Sequence, residues 1–183
     1  MRMDIDKESQ LPDSGLLQQL LIKCAKTELI PRFQNAYVKR KSDGSLVTDA
    51  DLAIQNHLAL SLAQHWPEIP LMGEEMTVER QDELMGQGTY WCLDPLDGTG
   101  NFTAGLPFFA LSLALVKDGQ VVIGLVYDPM REELFRAVHG QGAWLNDQPL
   151  RQPPSPGSLK ECMAMVDFKR LNSELMHRLV KAP

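Results

Sequence analysis

The spacing of apolar residues changes at about residue 89, and that change limits what the chain can fold into. Before it, Leu16, Leu17, Leu20, Leu21 and Cys24 recur at helical spacing. They predict an amphipathic helix over residues 14–30, closed by Pro31. Ala50, Ile54, Leu58 and Leu62 stand at successive i+4 positions, so a second helix is expected from near Thr48 to about His65, with Pro67 past its end. After the change the pattern is that of strands. Residues 107–116 and 120–127 flank Lys117-Asp118-Gly119, an Asp-Gly hairpin signal, and residues 133–138 and 142–145 continue an antiparallel meander. Residues 151–158, RQPPSPGS, form the one linker-like stretch. Beyond it, 162–166 reads as a strand and 173–180 as the start of a helix.

A chain of 183 residues buries roughly 70% of its unfolded surface, enough for a core without disulfides or structural metal. Its hydrophobic fraction of 44% and charged fraction of 23% are those of a globular protein, and no stretch approaches the ~20 apolar residues of a membrane span. The N-terminus, MRMDIDKESQLPDSG, has no apolar segment of a secretory signal, so a cytoplasmic protein is expected. Cys24, Cys92 and Cys162 are odd in number and far apart, which predicts reduced, mostly buried thiols. His57, His65, His139 and His177 are scattered without metal spacing. A net charge of −6, with no basic run beyond Lys39-Arg40-Lys41, argues against broad nucleic-acid binding. An anionic ligand would need a metal ion or backbone amides.

The stretch WCLDPLDGTGNF, residues 91–102, ends an apolar run with Asp94 and Asp97 on either side of Pro95-Leu96. As a turn it needs no function, since Pro followed by Asp-Gly is a common turn sequence. Two converging carboxylates, however, repel unless one protonates or a cation lies between them. Mg²⁺ resolves the conflict, because it takes oxygen ligands from a few carboxylates, water and phosphate. Gly98 allows close backbone approach, and a helix starting at Thr99 would offer N–H groups to a phosphate. Two further acidic clusters suit such a site. Leu71-Met72-Gly73-Glu74-Glu75 ends a short apolar segment and also reads as a solvated turn. Thr48-Asp49-Ala50-Asp51 opens the second helix and also reads as a capping box.

Together these residues resemble the inositol monophosphatase family, metal-dependent and lithium-sensitive phosphomonoesterases. The resemblance rests on WxxDPxDGTxNF, on GEE about twenty residues upstream, and on a VTxxD helix start before that. It continues through PFFALSLALV and GLVYDP and runs from Val47 to about Leu150. It implies an α+β fold, a layered αβαβα sandwich with mainly antiparallel sheet, and usually a homodimer. By position, Glu74, Asp94, the carbonyl of Leu96, Asp97 and Asp51 would form the Mg²⁺ site. Asp51, Thr99 and Glu74 would be catalytic, Asp51 with Thr99 activating water, and Gly98, Thr99 and Gly100 would hold the substrate phosphate. Asp49 falls at a variable position and is given no role. The implied reaction is hydrolysis of inositol monophosphate or a similar small phosphate ester, with no membrane partner. Residues 1–150 would be the metal- and phosphate-binding domain, and 151–183 a linker and the start of a C-terminal α/β domain.

The resemblance covers the N-terminal half to two-thirds of the family's length. Members carry a later Trp-Asp metal motif, and neither Trp144-Leu145 nor Val166-Asp167 supplies it. The alternative is therefore a catalytically incomplete member or fragment serving as a binding or assembly module. Other phosphatase chemistries fit less well. Asp94 and Asp97 do not have the D-x-D spacing of an aspartyl-phosphate enzyme, and the chain has no G-x-S-x-G elbow and no G-x-x-x-x-G-K-[ST] loop.

Overall fold

The computed structural model describes residues 11–40, 46–74, 76–151, 157–158, 162, 166 and 171–180. Contacts divide the chain into two units, Met1–Leu150 and Arg151–Pro183.

In the first unit, α1 (Ser14–Cys24) starts where Asp13 accepts a hydrogen bond from the Gly15 N–H at 2.8 Å, a side-chain cap for otherwise unpaired amides. The expected helix over 14–30 is not α-helical throughout. After Cys24 it continues as a π-turn, Ala25–Leu29, and then a 3₁₀ turn, Ile30–Arg32, that contains Pro31. Pro31 has no N–H to give to an α-helical ladder, so the tighter turn is where the helix ends. A short hairpin follows, β1 (Val38–Arg40) with β2 (Leu46–Thr48). Thr48 ends β2 and caps α2 (Asp49–His65), with Asp51 completing the capping box.

A sheet of seven strands carries the rest, in the order β3-β4-β5-β6-β7-β8-β9. These are β3 (Leu71–Gly73), β4 (Thr89–Asp97), β5 (Ala110–Lys117), β6 (Gln120–Asp128), β7 (Glu133–Val138), β8 (Gly142–Leu145) and β9 (Gln148–Pro149). Among the described residues only β3 and β4 pair in parallel, across α3 (Val78–Gly86); the other neighbours are antiparallel. The hairpin between β5 and β6 turns on Asp118 and Gly119, both at positive φ, as a two-residue turn that matches strand twist requires. Sequence periodicity did not announce α3 or the three-residue strands, which are too short to show a period.

α1 and α2 cover one face of this sheet. Alternation along the strands sends Trp91 and Leu93, Leu111, Leu113 and Leu115, and Ile123 and Leu125 to that face. There they pack with Leu17, Leu21, Ile54 and Leu58, all essentially inaccessible. Each such leucine contributes roughly 1.5–3 kcal/mol of burial. Arg136 stands in the row of Leu113 and Leu125. It is accommodated by a 2.9 Å hydrogen bond to Ser14 Oγ and by the Trp144 ring 4.2 Å from its guanidinium carbon. The opposite face carries small and apolar side chains, among them Ala114, Val126 and Phe135.

The cysteines are free, as expected, but only Cys24 is buried; Cys92 and Cys162 are exposed, and Cys92 alternates onto the face opposite Trp91 and Leu93. Burial pushes the Cys24 thiol up to about 12, with Glu28 adding to the shift. In the second unit, α5 (Ser173–Val180) is capped by Asn172, which accepts from the Leu175 N–H at 2.9 Å. The strand expected over 162–166 falls largely outside the described residues. Among the described residues no helix is long and apolar enough to cross a membrane.

Candidate active site

In a regular strand, residues three apart face opposite ways. Asp94 and Asp97 do not. Asp94 pairs with Ser112 and Asp97 with Ala110, so three steps along β4 match two along β5. The extra residue is a bulge at Pro95-Leu96, where a missing N–H does least harm to the ladder. It resets the alternation and puts both carboxylates on one face. Leu96 N–H donates to Asp94 Oδ1 at 3.1 Å, which fixes the turn from inside.

The parallel pairing of β3 with β4 aligns Gly73 with Leu93, so Glu74, the next residue, follows alongside Asp94. Asp51 comes from the first turn of α2. It is 4% exposed, and its Oδ2 accepts from both the N–H and the hydroxyl of Thr48 at 2.7 Å. The structural reading of Asp51 as a cap is therefore real, yet burial raises its pKa and Glu74 adds to the shift, while the Thr48 hydrogen bonds oppose it. Asp94 is pushed up to about 6, first by burial and then by Glu74, Asp97 and Asp51, against the Leu96 hydrogen bond. Four carboxylates from three parts of the chain thus act on one another. Glu75 lies outside the described residues.

β4 ends at Gly98, whose φ of +89° suits glycine. A Cβ there would sit 3.0 Å from the Phe108 carbonyl oxygen and 3.2 Å from Phe109 Cα, so space as well as conformation demands glycine. α4 (Thr99–Thr103) begins at once. Its first amides have no intrahelical acceptor. Thr99 Oγ1 donates to the Leu96 carbonyl at 2.9 Å, joining two expected site residues. At Gly100 an added Cβ would meet nothing within 4 Å, so only its backbone can matter there. A cavity of about 170 Å³ opens beside Asp97, Gly98, Asn101, Phe108 and Asp128.

Asp49 serves structure. It accepts from the Tyr37 N–H at 2.8 Å and lies 3.5 Å from Arg32 Nε, holding the loop before β1 to the start of α2. His57 is likewise structural, with Nδ1 3.1 Å from Glu28 Oε1.

The donor set suits a hard divalent cation: carboxylates, the Leu96 carbonyl and room for water, with no sulfur or imidazole. Among the described residues, no three acidic, His or Cys side chains are close enough to ligate one ion as placed. The mutual effect on Asp94 and the absence of a closed ligand shell are compatible, because like charges influence one another well beyond ligation distance. One residue that sequence reasoning missed stands at this site. Gln55 is four positions after Asp51 on α2, and its Oε1 is buried without a hydrogen-bond partner. Its i+4 relation to Asp51 was the available signal.

The sequence profile described as the inositol monophosphatase family matches residues 16–179. Among curated relatives, an inositol-1-monophosphatase of Mesorhizobium japonicum is 40% identical over 119 residues, 64% of this chain and 43% of its own. A protein named Nus factor SuhB, of Pasteurella multocida, is 40% identical over 61% of this chain and 40% of its own. Among solved structures, the Thermotoga maritima IMPase superposes with a TM-score of 0.76 at 30% identity, over 91% of this chain and 64% of that one. An IMPase/NADP phosphatase complexed with Mg²⁺ and phosphate gives 0.64 at 28% identity, over 78% and 52%. The chain thus spans less than half the length of these two curated relatives. The matched length, the layered α+β architecture and the agreement in fold lead to one conclusion: this chain belongs to the inositol monophosphatase family.

Proposed function

We propose that this chain supplies the cation- and phosphate-binding part of a Mg²⁺-dependent phosphomonoesterase acting on inositol monophosphate or a similar small phosphate ester. The observation that carries this reading is the bulge at Pro95-Leu96, which turns Asp94 and Asp97 to one face beside Glu74. That arrangement costs stability through repulsion, and a bound cation offsets it. The related IMPase/NADP phosphatase was solved with Mg²⁺ and phosphate, which supports the choice of ion.

Glu74, Asp94, Asp97 and the Leu96 carbonyl would hold the ion, with Asp51 at the edge of the set. Mg²⁺, when bound, polarises the phosphoryl group, lowers the pKa of water and neutralises charge on the leaving oxygen. The amides of Gly98, Thr99 and Gly100 would orient the phosphate oxygens. Thr99 gives its hydroxyl hydrogen to Leu96, which leaves the lone pairs of Oγ1 to accept from an attacking water and aim its oxygen at phosphorus. Asp51, held in place by Thr48, would take the proton. No protein nucleophile is needed.

A second reading has one observation behind it. A relative of equal identity bears the name Nus factor, so a family scaffold serving as an assembly module is the alternative. Phosphate release from inositol monophosphate and from an aryl phosphate, with and without Mg²⁺, separates the two. Turnover that requires Mg²⁺ and is lost in Asp51→Asn supports the phosphatase. A folded chain that binds Mg²⁺ yet releases no phosphate from any small ester favours the assembly module.

A further inference from the structure

Gln55 sits one turn after Asp51 on α2, and its Oε1 is shut off from solvent with no donor in reach. A long side chain on a helix leans back toward the N-terminus, over the preceding turn, so the amide lies on the Asp51 side of its own Cα. Gly73 bounds it from the other direction. A Cβ at Gly73 would come within 2.6 Å of Gln55 Oε1 and 2.9 Å of its Cδ. The amide therefore rests against the last residue of β3, immediately before Glu74. A buried carbonyl oxygen that has given up hydration and found no donor is unfavourable, and such groups in native proteins usually meet water, an ion or a ligand.

We propose that Gln55 is a positioning residue: its Oε1 accepts a hydrogen bond from a water held between Asp51 and Glu74, and so tightens Mg²⁺ binding at the acidic site. The proposal rests on the phosphatase reading above. Asp51 and Glu74, ionised, offer acceptors only, and a further carboxylate there would add to their repulsion. A neutral amide oxygen supplies an acceptor without charge. A water whose oxygen faces a cation has both hydrogens to give, and fixing one of them orients the molecule. Gly73 belongs to the same arrangement, because any side chain there would displace the amide. Outer-sphere groups of this kind typically change metal affinity by 10–100-fold.

The test is Mg²⁺ titration of the 183-residue chain followed by thermal denaturation, with Gln55→Met, Gln55→Glu and Gly73→Ala beside the wild type. Gln55→Met keeps length and loses the acceptor. It should melt at or above the wild-type temperature without Mg²⁺, since an unpaired polar atom is gone, while its Mg²⁺ affinity falls roughly tenfold. Gly73→Ala should weaken Mg²⁺ similarly by displacing the amide. Gln55→Glu, which retains an acceptor, should bind at least as tightly as wild type. Wild-type Mg²⁺ affinity in a folded Gln55→Met overturns the proposal, and so does weakened affinity in Gln55→Glu should Gln55→Met fail to fold. A wild type whose melting temperature ignores Mg²⁺ overturns the phosphatase reading itself, which distinguishes that failure from one confined to Gln55.

Discussion

Asp94 and Asp97 share one face of β4 because the strand carries one more residue between them than β5 carries between Ser112 and Ala110. In an unbulged strand, residues three apart face opposite ways, and the two carboxylates could not act on a common ligand. The sheet register, more than the proximity of the two residues in sequence, makes the pair.

The backbone just after this bulge leaves no room for a side chain. Gly98→Ala should destabilise the fold by about 1–2 kcal/mol from the positive φ alone, and more from the Cβ contact with Phe108 and Phe109. Denaturant unfolding measures it. A variant as stable as wild type would show that the backbone after Asp97 adjusts freely.

Thr99 joins α4 to the Leu96 carbonyl. Loss of one such hydrogen bond costs about 1 kcal/mol, so Thr99→Ala should melt slightly lower. If its hydroxyl orients water, kcat should fall far more than KM rises, the pattern of an interaction made in the transition state. Thr99→Ser should recover most of the rate. Steady-state kinetics on a small phosphate ester decides it, and near-normal kcat in Thr99→Ala would leave the residue a structural tie only.

Acid sensitivity should come partly from Glu28, remote from the site. Its carboxyl is held below the usual value, first by the hydrogen bond with His57, which outweighs the opposing effect of burial, and further by Arg32. A carboxylate with a depressed folded pKa binds fewer protons when folded. Its contribution to stability is therefore complete above the unfolded value near 4.5 and disappears as pH falls through the folded value. Glu28→Gln should melt below wild type at about pH 6, with the gap closing at about pH 3. A gap of equal size at both ends would contradict the assignment.

Much of this was legible in the sequence, for identifiable reasons. The i+4 run from Ala50 to Leu62 and the Thr48 cap gave α2 to within a residue, because a long amphipathic helix repeats its signal several times. The Asp118-Gly119 turn and the strands beside it were equally plain. Other features were hidden where long-range register decides. Nothing local says that Asp94 faces Ser112 while Asp97 faces Ala110, although a proline inside a strand hints at a bulge. The π and 3₁₀ turns after Cys24 carry the same apolar spacing as an α-helix. Gln55 was passed over because one polar residue on a helix looks solvated until its oxygen is found buried against Gly73.

The central claim is that Glu74, Asp94 and Asp97 form one cation site. Isothermal calorimetry of Mg²⁺ binding to the chain near neutral pH tests it most directly, with Asp94→Asn and Asp97→Asn as controls. The account predicts saturable binding to wild type and its loss in each variant, with folded structure kept. Binding by either variant as tight as wild type, or no binding by a folded wild type, would contradict it.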